Sequence, residues 1–224
     1  MELKPGSTDI LHIYRELVSS FSGIDGFSGW MIAKAEFKIE KAIGIINRNS
    51  ADRIVQAENK LIKKRKNYSV ISSCKIYKNL EYTITMYIVK TDGTVSKNMG
   101  GTYMANIAPG DVYPGFVYLC TLKYTTEDIR KYTEYIGDNN PIHHTSEPVV
   151  PGFMMFEDII GKELYKYVTG SSIKFVISFR KPVFLGEPAE VYKLHGRRKI
   201  IAVQPGGQKD IRENPYYKWE VDIL

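Results

Sequence analysis

The chain has 224 residues, 43% of them apolar and 25% charged, with a formal net charge of +6. That length buries a core in one large domain or two small ones, and the composition is that of a soluble globular protein. No run reaches the roughly 18 apolar residues of a membrane span, and the opening MELKPGSTD has no signal-type apolar stretch, so a cytoplasmic protein without membrane partners is expected.

In chain order, Thr8 or Asp9 is placed to cap a first helix whose Ile10, Leu11, Tyr14, Leu17, Val18 and Phe21 share one face. A glycine-rich loop follows, then a mixed stretch over 31–46 that contains a strand. The pattern from Ser50 to about Lys64 predicts a helix. Tyr68–Tyr77 and Tyr82–Lys90 read as strands, and Asp92-Gly93 as a hairpin leading into a third over 94–107. Pro and Gly between 108 and 115 mark a boundary. Beyond it come a strand over 116–124 and a helix from Thr126 that stops at Gly137. A second, mostly apolar helix is expected from Pro151 to about Val168. Three closing strands are expected over 172–184, 189–203 and 216–224. A helix apolar over most of its surface must be enclosed, and an antiparallel sheet curling around it gives an α+β plan. The first half repeats the order of helix and then strands.

Charge and side-chain chemistry narrow the partners. Residues 1–115 hold 16 Lys and Arg against 11 Asp and Glu, densest at Lys60, Lys63, Lys64, Arg65 and Lys66. This cluster reads either as a solvated helix end or as a docking patch for an acidic partner such as a carrier protein. No nucleic-acid motif accompanies it, so no nucleic-acid partner is expected. Cys74, Cys120 and four histidines form neither a disulfide framework nor a metal spacing.

The most informative stretch is GDNNPIHHTSEPVVPGFMMFE, residues 137–157. It sets Asp138 and His143 five residues apart in an Asn/Pro turn, just before a helix start at Pro151-Gly152. One group can move a proton while backbone N–H donors hold negative charge, the needs of a reaction that forms an enolate beside a carbonyl.

Gly137, Asp138, Asn140, Pro141, Ile142 and His143 resemble the G-D-x-N-P-x-H signature of MaoC-like (R)-specific enoyl-thioester hydratases and dehydratases. The later FRKPVFLGEPAEV also resembles that family, and the likeness spans roughly residues 110–224. The short spacing from His143 to Gly152, with Pro148, Val149, Pro151 and Glu157, is similar instead to the H-x4-P-V-x-P-G-x4-E pattern of β-hydroxyacyl carrier-protein dehydratases. Both resemblances imply a hotdog fold, a curved antiparallel sheet wrapped around a central helix. They suggest a C-terminal hotdog over 111–224 and an N-terminal α+β half over 1–110 that is either a degenerate second hotdog or something else.

The resemblances also imply roles. His143 would move the α-proton, with Asp138 or, by the second pattern, Glu157 as the other acid/base group. Gly152 would donate an oxyanion hydrogen bond, and Asn140 would shape the turn or touch the substrate. Arg180 and Lys181 would meet phosphates of the substrate carrier or simply lie at a solvated strand end. The implied reaction is reversible dehydration of (3R)-hydroxyacyl thioesters of CoA or acyl carrier protein, with no metal or redox cofactor, in a homodimer. The alternatives are an acyl thioesterase and a non-catalytic acyl-thioester-binding protein.

Overall fold

All described strands pair antiparallel into one nine-stranded sheet, in the order β2-β3-β4-β1-β6-β9-β8-β7-β5. The strands are β1 Trp30–Lys41, β2 Glu58–Lys64, β3 Tyr68–Tyr77, β4 Leu80–Lys90, β5 Phe116–Leu122, β6 Ser172–Phe179, β7 Ala189–Leu194, β8 Lys199–Val203 and β9 Tyr217–Ile223. The helices are α1 Ser7–Ser19, α2 Thr126–Ile136 and α3 Gly152–Lys162. The structure is a computed structural model and describes residues 7–24, 29–41, 58–77, 79–90, 115–167, 172–195, 198–203 and 217–224. The third strand expected over 94–107, the Asp92-Gly93 hairpin and most of the 108–115 boundary lie outside them.

Alternation builds the core. Ala35, Phe37 and Ile39 of β1, Tyr82, Ile84, Met86 and Ile88 of β4, and Ile173, Phe175 and Ile177 of β6 face inward. Their neighbours Lys34, Glu36 and Lys174 form ion pairs on the other face, the pattern of an antiparallel sheet with one covered side. Against the inner face lie α1, with Ile10, Ile13, Tyr14 and Leu17 fully buried, and α3, with Phe156, Ile159 and Ile160 equally so. Each such side chain contributes about 1.5–3 kcal/mol by leaving water. Tyr14 joins the two helices. Its ring packs edge-on to Phe37, Phe153 and Phe156, and its hydroxyl donates to the Phe153 carbonyl at 3.0 Å.

The two halves retrace each other. In the first, α1 precedes strands that lie in the order β1-β4-β3-β2; in the second, α3 precedes strands in the order β6-β9-β8-β7, with β5 beyond. The halves meet where β1 pairs with β6, from Lys34↔Ser178 to Glu40↔Ser172.

Three expectations change. Residues 58–64 are not the end of a helix but the edge strand β2, exposed along its whole length. Pairing with β3 overrides the helix preference of ENKLIKK. The buried helix of the first half is α1, and residues 50–57 of the expected helix lie outside the described residues. Within residues 189–203 there are two strands, β7 and β8, rather than one, so four strands follow α3 among the described residues. Helix α3 ends at Lys162 and gives way to a short 3-10 turn over Leu164–Tyr167, well before Val168. Gly161, a weak helix former, sits at that end because a Cβ would meet Leu11 of α1 at 3.2 Å.

Candidate functional site

Helix α2 delivers the first site residue. Thr125 and Asp128 form a reciprocal capping box at its start. At its end Gly137 takes φ +70°, and its N–H and that of Asp138 bond back to Glu134 O and Thr133 O at 3.4 and 2.8 Å. This left-handed closure needs glycine and fixes the backbone of Asp138 directly after the helix. The Asp138 carboxylate accepts the Asn140 N–H at 2.9 Å, an Asx turn that bends the chain into Pro141–His143.

His143 is buried, and its imidazole has a polar neighbour at each nitrogen. Nδ1 lies 2.7 Å from the Val149 carbonyl. Because a carbonyl only accepts, Nδ1 carries the proton, and in the neutral ring Nε2 is left with its lone pair. Nε2 lies 3.4 Å from Asp138 Oδ2. Val149 is itself anchored: it bridges to Phe184, and the Val150 N–H donates to Val183 O at 2.8 Å. Burial raises the Asp138 carboxyl, but the His143 ring, which donates from Nε2 when it is protonated, and the Asn140 N–H outweigh that, and its pKa lies below the ordinary aspartate value. Asp138 is thus a carboxylate at neutral pH.

The pair lies on the wall of a cavity of about 620 Å³. Its polar lining includes Ser22, Asp138, Asn140, His143, Arg180 and Lys181. Its apolar lining comes from both halves, with Val18, Phe21, Ile32, Ile71, Met86 and Ile88 from the first and Ile136, Val150, Phe153, Met155 and Val183 from the second. Asn139 and Arg180 are exposed lining residues and mark where the cavity meets solvent. The cavity is therefore a product of both halves.

The other anticipated residues fall as follows. Gly152 lines the cavity at the start of α3, where the first N–H groups of a helix have no intrahelical partner. A Cβ on Gly152 would stand 2.8 Å from the Phe179 ring, so close packing alone already calls for glycine. Asn140 spends its amide on the first half: its Nδ2 donates to Trp30 O at 2.8 Å, and its Oδ1 accepts the Gly29 N–H at 3.1 Å. It fastens the site loop to the start of β1. Glu157 does not line the cavity. It faces α1, where Arg15 binds Oε1 through Nε and Nη2 at 2.8 and 2.5 Å. Its Oε2 is buried without a hydrogen-bond partner among the described residues. Burial raises the Glu157 pKa, and Arg15 offsets this only in part. The geometry brings Asp138 and His143 together and leaves Glu157 apart from them.

Sequence reading missed Arg15 as the partner of Glu157, Phe179 as the neighbour of Gly152, and every cavity residue from the first half. No local signal carries them, since each contact joins residues distant in the chain. Among the described residues no cluster of His, Cys, Asp and Glu could hold a metal ion, and no helix is long and apolar enough to cross a membrane.

A continuous antiparallel sheet covering buried central helices, each followed by strands in the same order, is the hotdog fold. No known family profile matches the chain, and no curated protein matches it. Among solved structures it is similar to HtdX from Mycobacterium tuberculosis, seen in two crystal structures. One is 14% identical, with TM-score 0.58, 98% of this chain and 87% of that chain covered. The other is 12% identical, with TM-score 0.57 and coverage of 100% and 96%. A MaoC-like dehydratase from Phytophthora capsici is 15% identical at TM-score 0.47, covering 90% of this chain and 72% of that one. An acyl-CoA thioesterase II from Mycobacterium marinum is 10% identical at 0.44, with coverage of 96% and 87%. At these identities the likeness is one of fold, and the last two superpose too loosely to carry more.

Proposed function

We propose that the chain is a hydro-lyase that interconverts (3R)-hydroxyacyl and trans-2-enoyl thioesters, with Asp138 and His143 as its reacting pair. The observation that carries this reading is the pair itself: a histidine with its proton fixed at Nδ1 and a lone pair at Nε2, 3.4 Å from an ionised carboxylate, on the wall of a cavity lined by both polar and apolar side chains. In dehydration, His143 Nε2 takes the proton from C2. Charge moves onto the thioester oxygen, met by the N–H at the start of α3. The C3–O bond breaks, and the hydroxyl leaves as water with a proton. Asp138 is a poor source of that proton, since its pKa is depressed. The imidazolium just formed is the better donor, with Asp138 stabilising its charge and orienting the hydroxyl. Hydration is the reverse, with water held between Oδ2 and Nε2.

The reading extends to organisation. Residues 1–110 and 111–224 are two hotdog units, supported by their matching strand orders. The first shares in the wall of the acyl cavity. In a paired hotdog the α3 glutamate faces the opposite unit. Here that unit presents Arg15 rather than a histidine, which favours Asp138 over Glu157 as the second group. The substrate arrives on CoA or a carrier protein.

His143→Ala is the direct test. Formation of enoyl thioester from 3-hydroxyacyl thioester is expected to fall by about a thousandfold or more, in a variant that stays folded but melts lower for the loss of a buried ring and its bond to Val149. Retention of most activity would sink the proposal. Release of free thiol without enoyl formation by the wild type would instead identify a thioesterase, and binding without turnover a non-catalytic carrier.

A further inference from the structure

Helix α1 and the turn after it hold both elements that carry the site. Tyr14 donates to the carbonyl of Phe153, the neighbour of Gly152 in the first turn of α3, at 3.0 Å. Arg15, the next residue, reaches α3 and α2 together. Its Nε and Nη2 bind Glu157 Oε1 at 2.8 and 2.5 Å, and its guanidinium carbon stands 5.4 Å from the centre of the Tyr135 ring. Ser22 lies against the end of α2, since a Cβ on Gly137 would be 3.1 Å from its side chain. Both α2 and α3 pack on α1. Tyr124, just before α2, donates its hydroxyl to Asp158 Oδ2 of α3 at 2.7 Å and so ties the start of α2 rather than its end. The acid/base pair follows the end of α2, while the oxyanion N–H belongs to the first turn of α3. The spacing of the two helices is therefore the spacing between the proton acceptor and the group that meets the thioester oxygen.

We propose that Arg15 is a positioning residue for the reaction: lying between Tyr135 and Glu157, it sets how far Asp138 and His143 stand from the N–H at the start of α3. The inference rests on the hydro-lyase reading above and adds a residue to it. Position, chemistry and magnitude each favour it. Tyr135 is in the last turn of α2, two residues before Gly137, whose left-handed closure passes any movement of that turn to Asp138. Neutralising Glu157 calls only for a positive charge, which lysine would supply. A planar guanidinium can bind a carboxylate along its edge and cover a ring with its face at the same time. Tyr135 is 59% exposed, so its contact with Arg15 adds little to folding. Yet a displacement of about 1 Å at a reacting group can cost about a hundredfold in rate. The contact therefore weighs more on rate than on stability.

The test follows hydration of trans-2-hexenoyl-CoA by the full chain. Tyr135→Ala removes the ring, and Tyr135→Phe keeps it. Arg15→Met/Glu157→Met removes both charges without leaving a carboxylate buried alone. Tyr135→Ala and the double variant are expected to lose about tenfold in kcat, with KM within about twofold and the melting temperature close to that of the wild type. Tyr135→Phe should match the wild type within about twofold. Were Arg15 only the counter-ion of Glu157, Tyr135→Ala and the double variant would both keep the wild-type kcat, and that result overturns the proposal. So does a loss carried by KM, or one that Tyr135→Phe shares. If the wild type hydrates no enoyl thioester, the hydro-lyase reading fails, and the positioning is read from the imidazole itself. In protein with isotope-labelled histidine, the His143 ring resonances are assigned by their loss in His143→Gln. They should move in Tyr135→Ala and in the double variant but not in Tyr135→Phe, and resonances that stay in place in all three overturn the proposal.

Discussion

Substitutions at Asp138 and Gly152 test the proposed roles of the carboxylate and of the N–H at the start of α3. Asp138→Asn keeps an oxygen for the Asx turn and removes the charge. Enoyl-thioester hydration is then expected to fall by about a hundredfold or more. The folded pKa of Asp138 lies below the unfolded aspartate value of about 3.9. Its ionisation therefore contributes stability that is full above that value and lost as pH falls through the folded one. In urea titrations the wild type should exceed the variant in stability at neutral pH, and the gap should close in strong acid. At Gly152 an added Cβ collides with Phe179, so Gly152→Ala is expected to cost about 1–3 kcal/mol. Alanine retains the N–H that would meet the oxyanion. Adding Phe179→Leu should therefore restore much of both melting temperature and kcat.

At the scale of elements, α1 and α3 are joined by one ion pair of unequal exposure. Arg15 is about two-fifths exposed, while Glu157 is nearly covered. Removing the cation by Arg15→Met leaves a buried carboxylate alone. Discounted for the solvent that reaches Arg15, the expected cost at neutral pH is about 1–2 kcal/mol. The sign with pH is opposite to that at Asp138. Glu157 has a raised folded pKa, so its ionisation opposes folding. The variant's deficit should grow as pH rises through that value and shrink below the unfolded one, measurable by thermal melts from acid to neutral. The elements also show where local pattern sufficed. Helix α2 was legible because Thr125, Asp128 and Gly137 are local chemistry with known caps. Strand β2 was not, since its only strand-forming influence is the edge of β3, reached through space.

For the molecule as a whole, the pairing of β1 with β6 and the bonds of Asn140 to Gly29 and Trp30 make the second half dependent on the first. Residues 115–224 expressed alone would bare the β6 edge and lose much of the apolar cavity wall. Such a fragment is expected to self-associate through that edge and to show no turnover, as size-exclusion chromatography and the hydration assay would report. The 137–157 stretch announced an acid/base pair beside a helix start because turn residues, a glycine stop and a Pro-Gly start act over a few residues. The apolar faces of α1 and α3 were equally plain from their spacing. Which carboxylate stands with His143 was not, because two patterns overlap on one histidine and differ only in what lies across the core. There, Arg15 on α1 engages Glu157, while the Gly137 closure and the Asx turn bring Asp138 to the imidazole. The cavity was likewise invisible in the chain. It is the space left where two helices and a shared sheet meet, and its walls come from residues with no common local pattern.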